Sequence, residues 1–150
     1  MNSKYQTANY AIYNNEKYTA RPDPQDWTLK IYTKDSSMQC HGFTPSKAVE
    51  NLYLKHVSPF DVSEYYEESF FAKYNGMSVY IWDERSEGDK IMITPVGTTK
   101  IFDDLWKEGF KEVDRGIAGK LVLEEELENI HSVHKDLLTD ARKDYEEEHK

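Results

Sequence analysis

Two stretches of the chain share a pattern that predicts a β-hairpin. Residues 10–15 read Tyr-Ala-Ile-Tyr-Asn-Asn, and residues 71–76 read Phe-Ala-Lys-Tyr-Asn-Gly. In each, a run in which aromatic or apolar residues alternate with others is followed by two residues typical of a turn. A second alternating run follows at residues 17–21 in the first stretch and 77–82 in the second. Asn-Asn and Asn-Gly are typical of the tight turns that join two antiparallel strands. A chain with two such hairpins must build much of its core from β-sheet.

The similarity continues in the same order along the chain, which indicates a tandem repeat of one small unit. Each position of the first copy has a counterpart in the second: Tyr13 corresponds to Tyr74, Leu29-Lys-Ile31 to Ile91-Met-Ile93, Gly42-Phe43 to Gly109-Phe110, Lys55-His-Val57 to Lys120-Leu-Val122, Val62 to Leu127, and Tyr65 to Ile130. A unit of about sixty residues is marginally stable alone, so we expect the two copies to pack together. The predicted division is a first β repeat unit over residues 1–69, a second over 70–130, and a C-terminal helix over 131–150 that continues from the second unit.

Local signals predict further elements between the hairpins. In the first copy they favour strands at 27–33 and 52–57, a short helix at 44–51 and a single helical turn at 58–65, the last two each with a proline at the first turn. In the second copy they favour a strand at 89–94 and a helix at 98–109 with Ile101, Phe102, Leu105 and Trp106 on one side. From Val122 the three- and four-residue spacing of apolar side chains, with His134 on the same stripe, predicts one amphipathic helix. The predicted fold class is mainly β (α+β): two tandem SH3-like units packed together and closed by a C-terminal amphipathic helix.

The charge of the chain restricts its partners. The 150 residues carry a net charge of −9, of which residues 70–150 contribute −7 by the count of their side chains. An acidic protein repels phosphate backbones, so direct binding to nucleic acid is disfavoured, whereas a basic protein partner is favoured. Cys40 is the single cysteine, which indicates a reducing compartment, and no apolar run or signal sequence points to a membrane. We therefore expect a cytoplasmic protein.

No group of residues predicts a reaction or a cofactor. The acidic runs at 103–104, 124–126 and 146–148 lack the spacing of a calcium loop. His131 and His134 lie three residues apart but have no evident third ligand. Cys40 and His41 are adjacent, so in a strand their side chains would point to opposite faces. Phosphate-binding and hydrolase motifs are also missing. We expect no enzyme activity, no metal and no cofactor.

The second copy carries motifs that resemble a known group of proteins. These motifs are Ala72-Lys73-Tyr74-Asn75-Gly76, the strand Ile91-Met-Ile93, and Gly109-Phe110 followed by Lys-Glu-Val. They resemble small cytosolic immunity proteins of bacterial polymorphic and contact-dependent toxin systems. The first copy departs from the pattern, with Ile12 and Asn15 in place of lysine and glycine. The resemblance covers residues 8–130 and implies tight binding to one cognate toxin rather than a reaction.

The predicted function is therefore a non-catalytic binding inhibitor that neutralises a cognate basic toxin, with a nuclease as the leading class. Acidic and aromatic side chains would form its binding surface: Asp83, Glu84, Glu87, Asp103, Asp104, Tyr66 and Trp82. Tyr65 and Tyr66 admit a second interpretation, in which Tyr65 lies in the core and Tyr66 is half-exposed. An alternative function is a phage-encoded acidic inhibitor of a host nucleic-acid defence enzyme, of the DNA-mimic or anti-CRISPR type. A small hydrolase or metal enzyme is a third.

Overall fold

The computed structural model describes residues 4–97 and 102–150, and within them the chain is mainly β. The strands are antiparallel: β1 (Ala8–Tyr13), β2 (Glu16–Pro22), β3 (Leu29–Thr33), β4 (Thr44–Pro45), β5 (Tyr53–Val57), β6 (Glu64–Tyr74), β7 (Met77–Ile81), β8 (Lys90–Pro95), β9 (Lys111–Asp114), β10 (Ile117–Leu123) and β11 (Glu128–Asp136). The α-helices are α1 (Phe102–Lys107) and α2 (Leu138–Glu148), and 3₁₀ turns cover Ser36–His41, Asp83–Arg85 and Glu124–Glu126. The predicted α+β, mainly β class and its C-terminal helix are confirmed.

The chain forms two compact units. The first unit contains Ala8–Glu68 and His134–Lys150, and the second contains Met1–Thr7 and Ser69–Val133. Strands β6 and β11 each contribute residues to both units. The division after residue 68 lies beside the division predicted after residue 69. The C-terminal helix, however, belongs to the first unit and does not extend the second.

In the first unit the strands are hydrogen-bonded in the order β4–β5–β3–β2–β1–β6. Asn14 and Asn15 join β1 to β2 with φ angles of +50° and +65°, the backbone that a tight two-residue hairpin turn requires. Leu138 and Ala141 of α2 pack against the buried side of the sheet. The core of this unit consists of Ala11, Tyr18, Ala20, Leu29, Ile31, Phe43, Val57, Val62 and Tyr65.

In the second unit the order is β9–β10–β8–β7–β6, and β11 pairs with β6. Asn75 and Gly76 form the turn between β6 and β7, again with positive φ angles, of +48° and +76°. Its core consists of Tyr5, Ala72, Tyr74, Met77, Val79, Ile81, Ile91, Ile93, Leu105, Phe110, Ala118, Val122 and Leu127. Each unit therefore contains a tight hairpin, a third strand, a helical turn and a further hairpin, in that order.

The Gly-Phe pair ends the helical turn of each unit in the same way. Gly42 and Gly109 have φ angles of +92° and +91°, a left-handed conformation that glycine adopts at helix ends. The amide of the following phenylalanine then donates back to the turn, Phe43 to the Met38 carbonyl at 3.3 Å and Phe110 to the Leu105 carbonyl at 3.0 Å. Both phenylalanine rings are buried. Each ring is part of the core of its unit.

Two predicted helical segments of the first unit are wrong. Residues 44–51, predicted as a helix, form β4 and the turn that leads to β5, because Asn51 has a φ angle of +62° and the Ser46 amide donates to the Leu52 carbonyl at 2.8 Å. Residues 58–65, predicted as a helical turn, form a turn closed by the Asp61 amide on the Ser58 carbonyl at 2.9 Å. They then enter β6 at Glu64.

The long amphipathic helix predicted from Val122, and the helix predicted over 131–150, begin too early. Residues up to Leu123 pair with β8 as part of β10, and Glu128–Asp136 form β11. Asn129 has a φ angle of +53°, which a helix interior does not accept. The apolar side chains at helical spacing belong to successive short elements, and α2 starts only at Leu138.

Candidate functional site

Helix α1 presents an acidic and aromatic surface in the second unit. Its one buried side chain among residues 103–107 is Leu105, which packs into the core with Phe110. Asp103, Asp104 and Trp106 are exposed, and 57% of Trp106 is accessible to solvent. Residues three apart lie on one face of a helix, so Asp103 and Trp106 are neighbours. We call Asp103, Asp104 and Trp106 the α1 surface.

Leu105 is buried and Trp106 is exposed, so the two do not share one side of the helix as predicted. The described helix has six residues and directs one side chain, Leu105, into the core. Trp106 follows about 100° further around the helix, so it turns away from the core. Residues 98–101 of the predicted helix lie outside the described part of the chain.

The loop after β7 holds four of the other predicted contact residues. Trp82 is half-buried, with the Arg85 guanidinium 4.9 Å from its ring centre, and Arg85 is itself paired with Asp114 at 3.1 Å. Asp83 is buried, and this burial, with the nearby charge of Glu84, raises the pKa of its carboxyl group. Asp83 is therefore not the exposed contact that we predicted. Glu84 and Glu87 are exposed on this loop.

Tyr66 lies in the first unit, on β6, and its side chain is almost fully covered. The His134 ring stacks on it at 4.3 Å between ring centres and 18° between planes, and His134 Nε2 lies 2.8 Å from a Glu68 carboxylate oxygen. Tyr10 contacts the Tyr66 ring from another direction. Tyr65 is in the core. Tyr66 and the acidic loop belong to different units.

Negative charge is shared almost equally between the units. By the residues each contains, the second unit has 9 basic and 13 acidic side chains and the first has 10 and 15, giving −4 and −5. The acidic residues of α2 are part of the first unit, so the charge of −7 carried by residues 70–150 is divided between the two units.

Two described depressions are small. One, of about 160 Å³, lies beside Tyr66 and His134, and the other, of about 310 Å³, lies over the turn at Asn75 and Gly76. Pockets for drug-sized molecules usually span about 300–1,000 Å³. The first is below this range, and Lys73 is the single charged residue lining the second. Neither combines the volume and the converging polar groups of a typical substrate pocket.

Three side chains with metal-binding chemistry come together in the first unit. Asp23, Asp26 and His56 place their carboxylate and imidazole atoms within 4.8 Å of one another. Sequence reasoning missed this cluster because His56 is thirty residues from Asp26. The histidines that it did consider make other contacts: His131 Nδ1 is 2.8 Å from the Asn129 carbonyl, and His134 contacts Glu68. Cys40 is exposed, and its thiol donates to the Ser37 carbonyl.

The comparisons with known proteins assign the chain to a family. A family model described as Uncharacterised conserved protein UCP033725 matches residues 5–138. The chain belongs to this family. No curated protein and no solved structure matches the chain. The matched residues 5–138 include all eleven described strands and α1. The α1 surface and the residues Asp23, Asp26 and His56 therefore lie within the UCP033725 match. In the described residues of this UCP033725 member, no helix is long and apolar enough to cross a bilayer.

Proposed function

We propose that this protein is an immunity protein, a non-catalytic inhibitor that binds a cognate basic toxin through the α1 surface. A nuclease is the leading toxin class, since its own substrate is an anion. The observation that carries the proposal is Trp106, which is 57% exposed on the same helix as two exposed carboxylates. Tryptophan is enriched among the few residues that dominate binding energy at protein interfaces.

The two kinds of side chain would act at different stages of binding. Asp103 and Asp104 attract a basic partner before contact, because complementary charges speed diffusional encounter. Trp106 then supplies a rigid apolar area that is removed from water when the partner covers it. Exposed Glu84 and Glu87, on the loop after β7, add to the negative field of the second unit.

The test takes as candidate toxin a basic protein whose gene adjoins that of this protein, and measures protection and binding against it. We expect the wild-type protein to restore growth of cells that make the toxin and to form a one-to-one complex. Trp106→Ala should weaken the complex by about 2–4 kcal/mol, as expected for a central interface residue. Val49→Ala is the matched control, because Val49 is a 52% exposed apolar residue of the first unit; it should change the affinity by less than about 0.5 kcal/mol.

The outcomes separate the function from the surface. A wild-type protein that neither protects the cells nor binds the toxin rejects the function. If the wild-type protein protects the cells but Trp106→Ala and Val49→Ala bind the toxin equally well, the proposed function stands. The α1 surface is then rejected as the binding site.

A further inference from the structure

We propose that Asp23, Asp26 and His56 of the first unit bind a divalent transition-metal ion. Their ligand atoms lie within 4.8 Å of one another. An ion bound to nitrogen and oxygen ligands at about 2.1 Å holds them roughly 3–4 Å apart. Small side-chain rotations therefore bring the three groups to coordination distance. This inference does not depend on the function proposed for the α1 surface.

In each of the two aspartates, one carboxylate oxygen accepts hydrogen bonds that orient the side chain, and the other oxygen remains available to a metal ion. Asp23 Oδ1 accepts the Gln25 amide at 2.9 Å, and Asp26 Oδ1 accepts the Thr28 amide at 3.0 Å and the Thr28 hydroxyl at 2.7 Å. Asp23 Oδ2 lies 3.7 Å from Nδ1 of His56. Within the described residues, no hydrogen bond occupies Asp26 Oδ2. Ligands that are already oriented lose less conformational freedom when the ion binds.

His56 supplies the nitrogen ligand from a different element. It extends from β5, and its side chain is 45% exposed while that of Asp23 is 16% exposed, so the cluster has a covered side and an open side. His56 Nδ1 lies 3.0 Å from the Thr28 hydroxyl, which contacts Asp26 on its other side. The imidazole is thus placed at the two carboxylates by contacts that do not require an ion, and solvent reaches the site through His56.

A second imidazole is close to the cluster. His149, directly after α2, has its Nε2 3.0 Å from the main-chain oxygen of Asp26. This contact links the loop that carries both aspartates to the end of the chain. Segments around residues 23–28, 56 and 149 therefore converge, and all of them belong to the first unit.

The ligand types select the class of metal. Calcium and magnesium prefer oxygen ligands alone, whereas imidazole together with carboxylate suits zinc, manganese and iron. Affinity for such a site generally rises from manganese to zinc. We therefore expect Zn²⁺ to bind more tightly than Mn²⁺, and Ca²⁺ not to bind at the same concentrations.

The experiment is a calorimetric titration of the full-length protein, without a histidine tag, with ZnCl₂, MnCl₂ and CaCl₂. His56→Gln should weaken Zn²⁺ binding at least ten-fold, and so should Asp23→Asn. His131→Gln is the matched control, because His131 is an exposed histidine of the second unit; it should leave Zn²⁺ binding unchanged. Circular dichroism of each variant checks that it is folded.

A measurement on the unmodified protein makes the result independent of any substitution. Mn²⁺ is paramagnetic, so low concentrations should broaden the NMR signals of residues 23, 26 and 56 before those of residue 131. Broadening centred elsewhere would overturn the proposal. So would Zn²⁺ affinity that is unchanged in both His56→Gln and Asp23→Asn, or the lack of stoichiometric Zn²⁺ binding in the low millimolar range.

Discussion

Lys120 donates a hydrogen bond from its ammonium group to the hydroxyl of Tyr74, and the same ammonium lies 4.8 Å from the centre of that ring. Lys55 and Tyr13 make this contact in the first unit, at 3.1 Å to the hydroxyl and 5.0 Å to the ring centre. Each lysine also donates to a carbonyl at the end of its helical turn, Lys120 to Glu108 at 2.9 Å and Lys55 to His41 at 3.0 Å. One side chain therefore connects a strand, a hairpin and a helix end.

Replacing Lys120 by methionine should destabilise the protein. Methionine keeps the side chain out to Cε but removes the donor for a part-buried hydroxyl and a carbonyl, which should cost about 1–3 kcal/mol. Lys73→Met is the control, because Lys73 is exposed and its ammonium bonds to the Ser78 hydroxyl. Urea unfolding measures both free energies. Equal losses in the two variants would show that the contacts of Lys120 do not stabilise the fold.

Truncating Phe110 to alanine should have a larger effect. The ring is 1% exposed and packs edge-on against Tyr74 at 6.0 Å between ring centres. Removing a fully buried phenylalanine leaves a cavity and should cost about 3–5 kcal/mol. Phe60→Ala provides the comparison, since Phe60 is 48% exposed. Denaturant unfolding should separate the two variants, and a loss under about 1 kcal/mol for Phe110→Ala would contradict the assigned role.

Reversing the charges of Asp103 and Asp104 should affect binding more than folding. Both side chains are exposed, so Asp103→Lys and Asp104→Lys should each change stability by about 0.5 kcal/mol or less. At the rim of the proposed interface, the changes should slow association and weaken its salt dependence. Stopped-flow binding at two salt concentrations measures this, with Glu50→Lys in the first unit as the control. Equal association rates for all variants would remove the α1 surface from the encounter step.

We expect the protein to lose stability in alkaline solution because of Tyr18. Burial, assisted by the hydrogen bond from its hydroxyl to Glu16, raises the pKa of Tyr18 from 10.0 to about 12. Both states keep the proton below pH 10, whereas between pH 10 and 12 only the unfolded chain loses it, so the free energy of unfolding falls across this range. Tyr18→Phe should make that decline less steep, and Glu16→Gln should do so partly. Urea unfolding at pH 9, 10 and 11 gives the free energy of unfolding at each pH. If this free energy falls equally steeply with pH in wild type and Tyr18→Phe, the prediction is refuted.

Local turn chemistry made several elements of this fold predictable. Asn14-Asn15 and Asn75-Gly76 both adopt positive φ angles, which few other residue pairs accept, so the hairpins could be placed from the sequence. Gly109 ended its predicted helix for the same reason, whereas the helical turn before Gly42 was not predicted. The failures occurred where the sole signal was a Thr-Pro or Ser-Pro helix start, at residues 44–51 and 58–65, or helical periodicity. Leu123, Leu127 and Ile130 have helical spacing, but the pairing of β10 and β11 with neighbouring strands overrode it.

The candidate sites were less predictable than the fold. The exposure of Trp106 depends on which single face of a six-residue helix meets the core, and composition does not reveal this. Asp83 is acidic and lies in a loop, yet the loop folds inward at that residue. The cluster of Asp23, Asp26 and His56 exists because β3 pairs with both β2 and β5, which brings a loop and a distant strand together. Such long-range pairings leave no short motif in the sequence.

The first unit is built from two segments that are distant in sequence, and this affects how it folds during synthesis. Residues 8–68 leave the ribosome well before residues 134–150, yet Leu138 and Ala141 of the late segment pack on the core made by the early one. The early segment must therefore wait, with part of its apolar surface uncovered, until residues 134–150 have been made. The second unit contains no residue beyond 133, so it can be completed while the first unit still lacks its last segment.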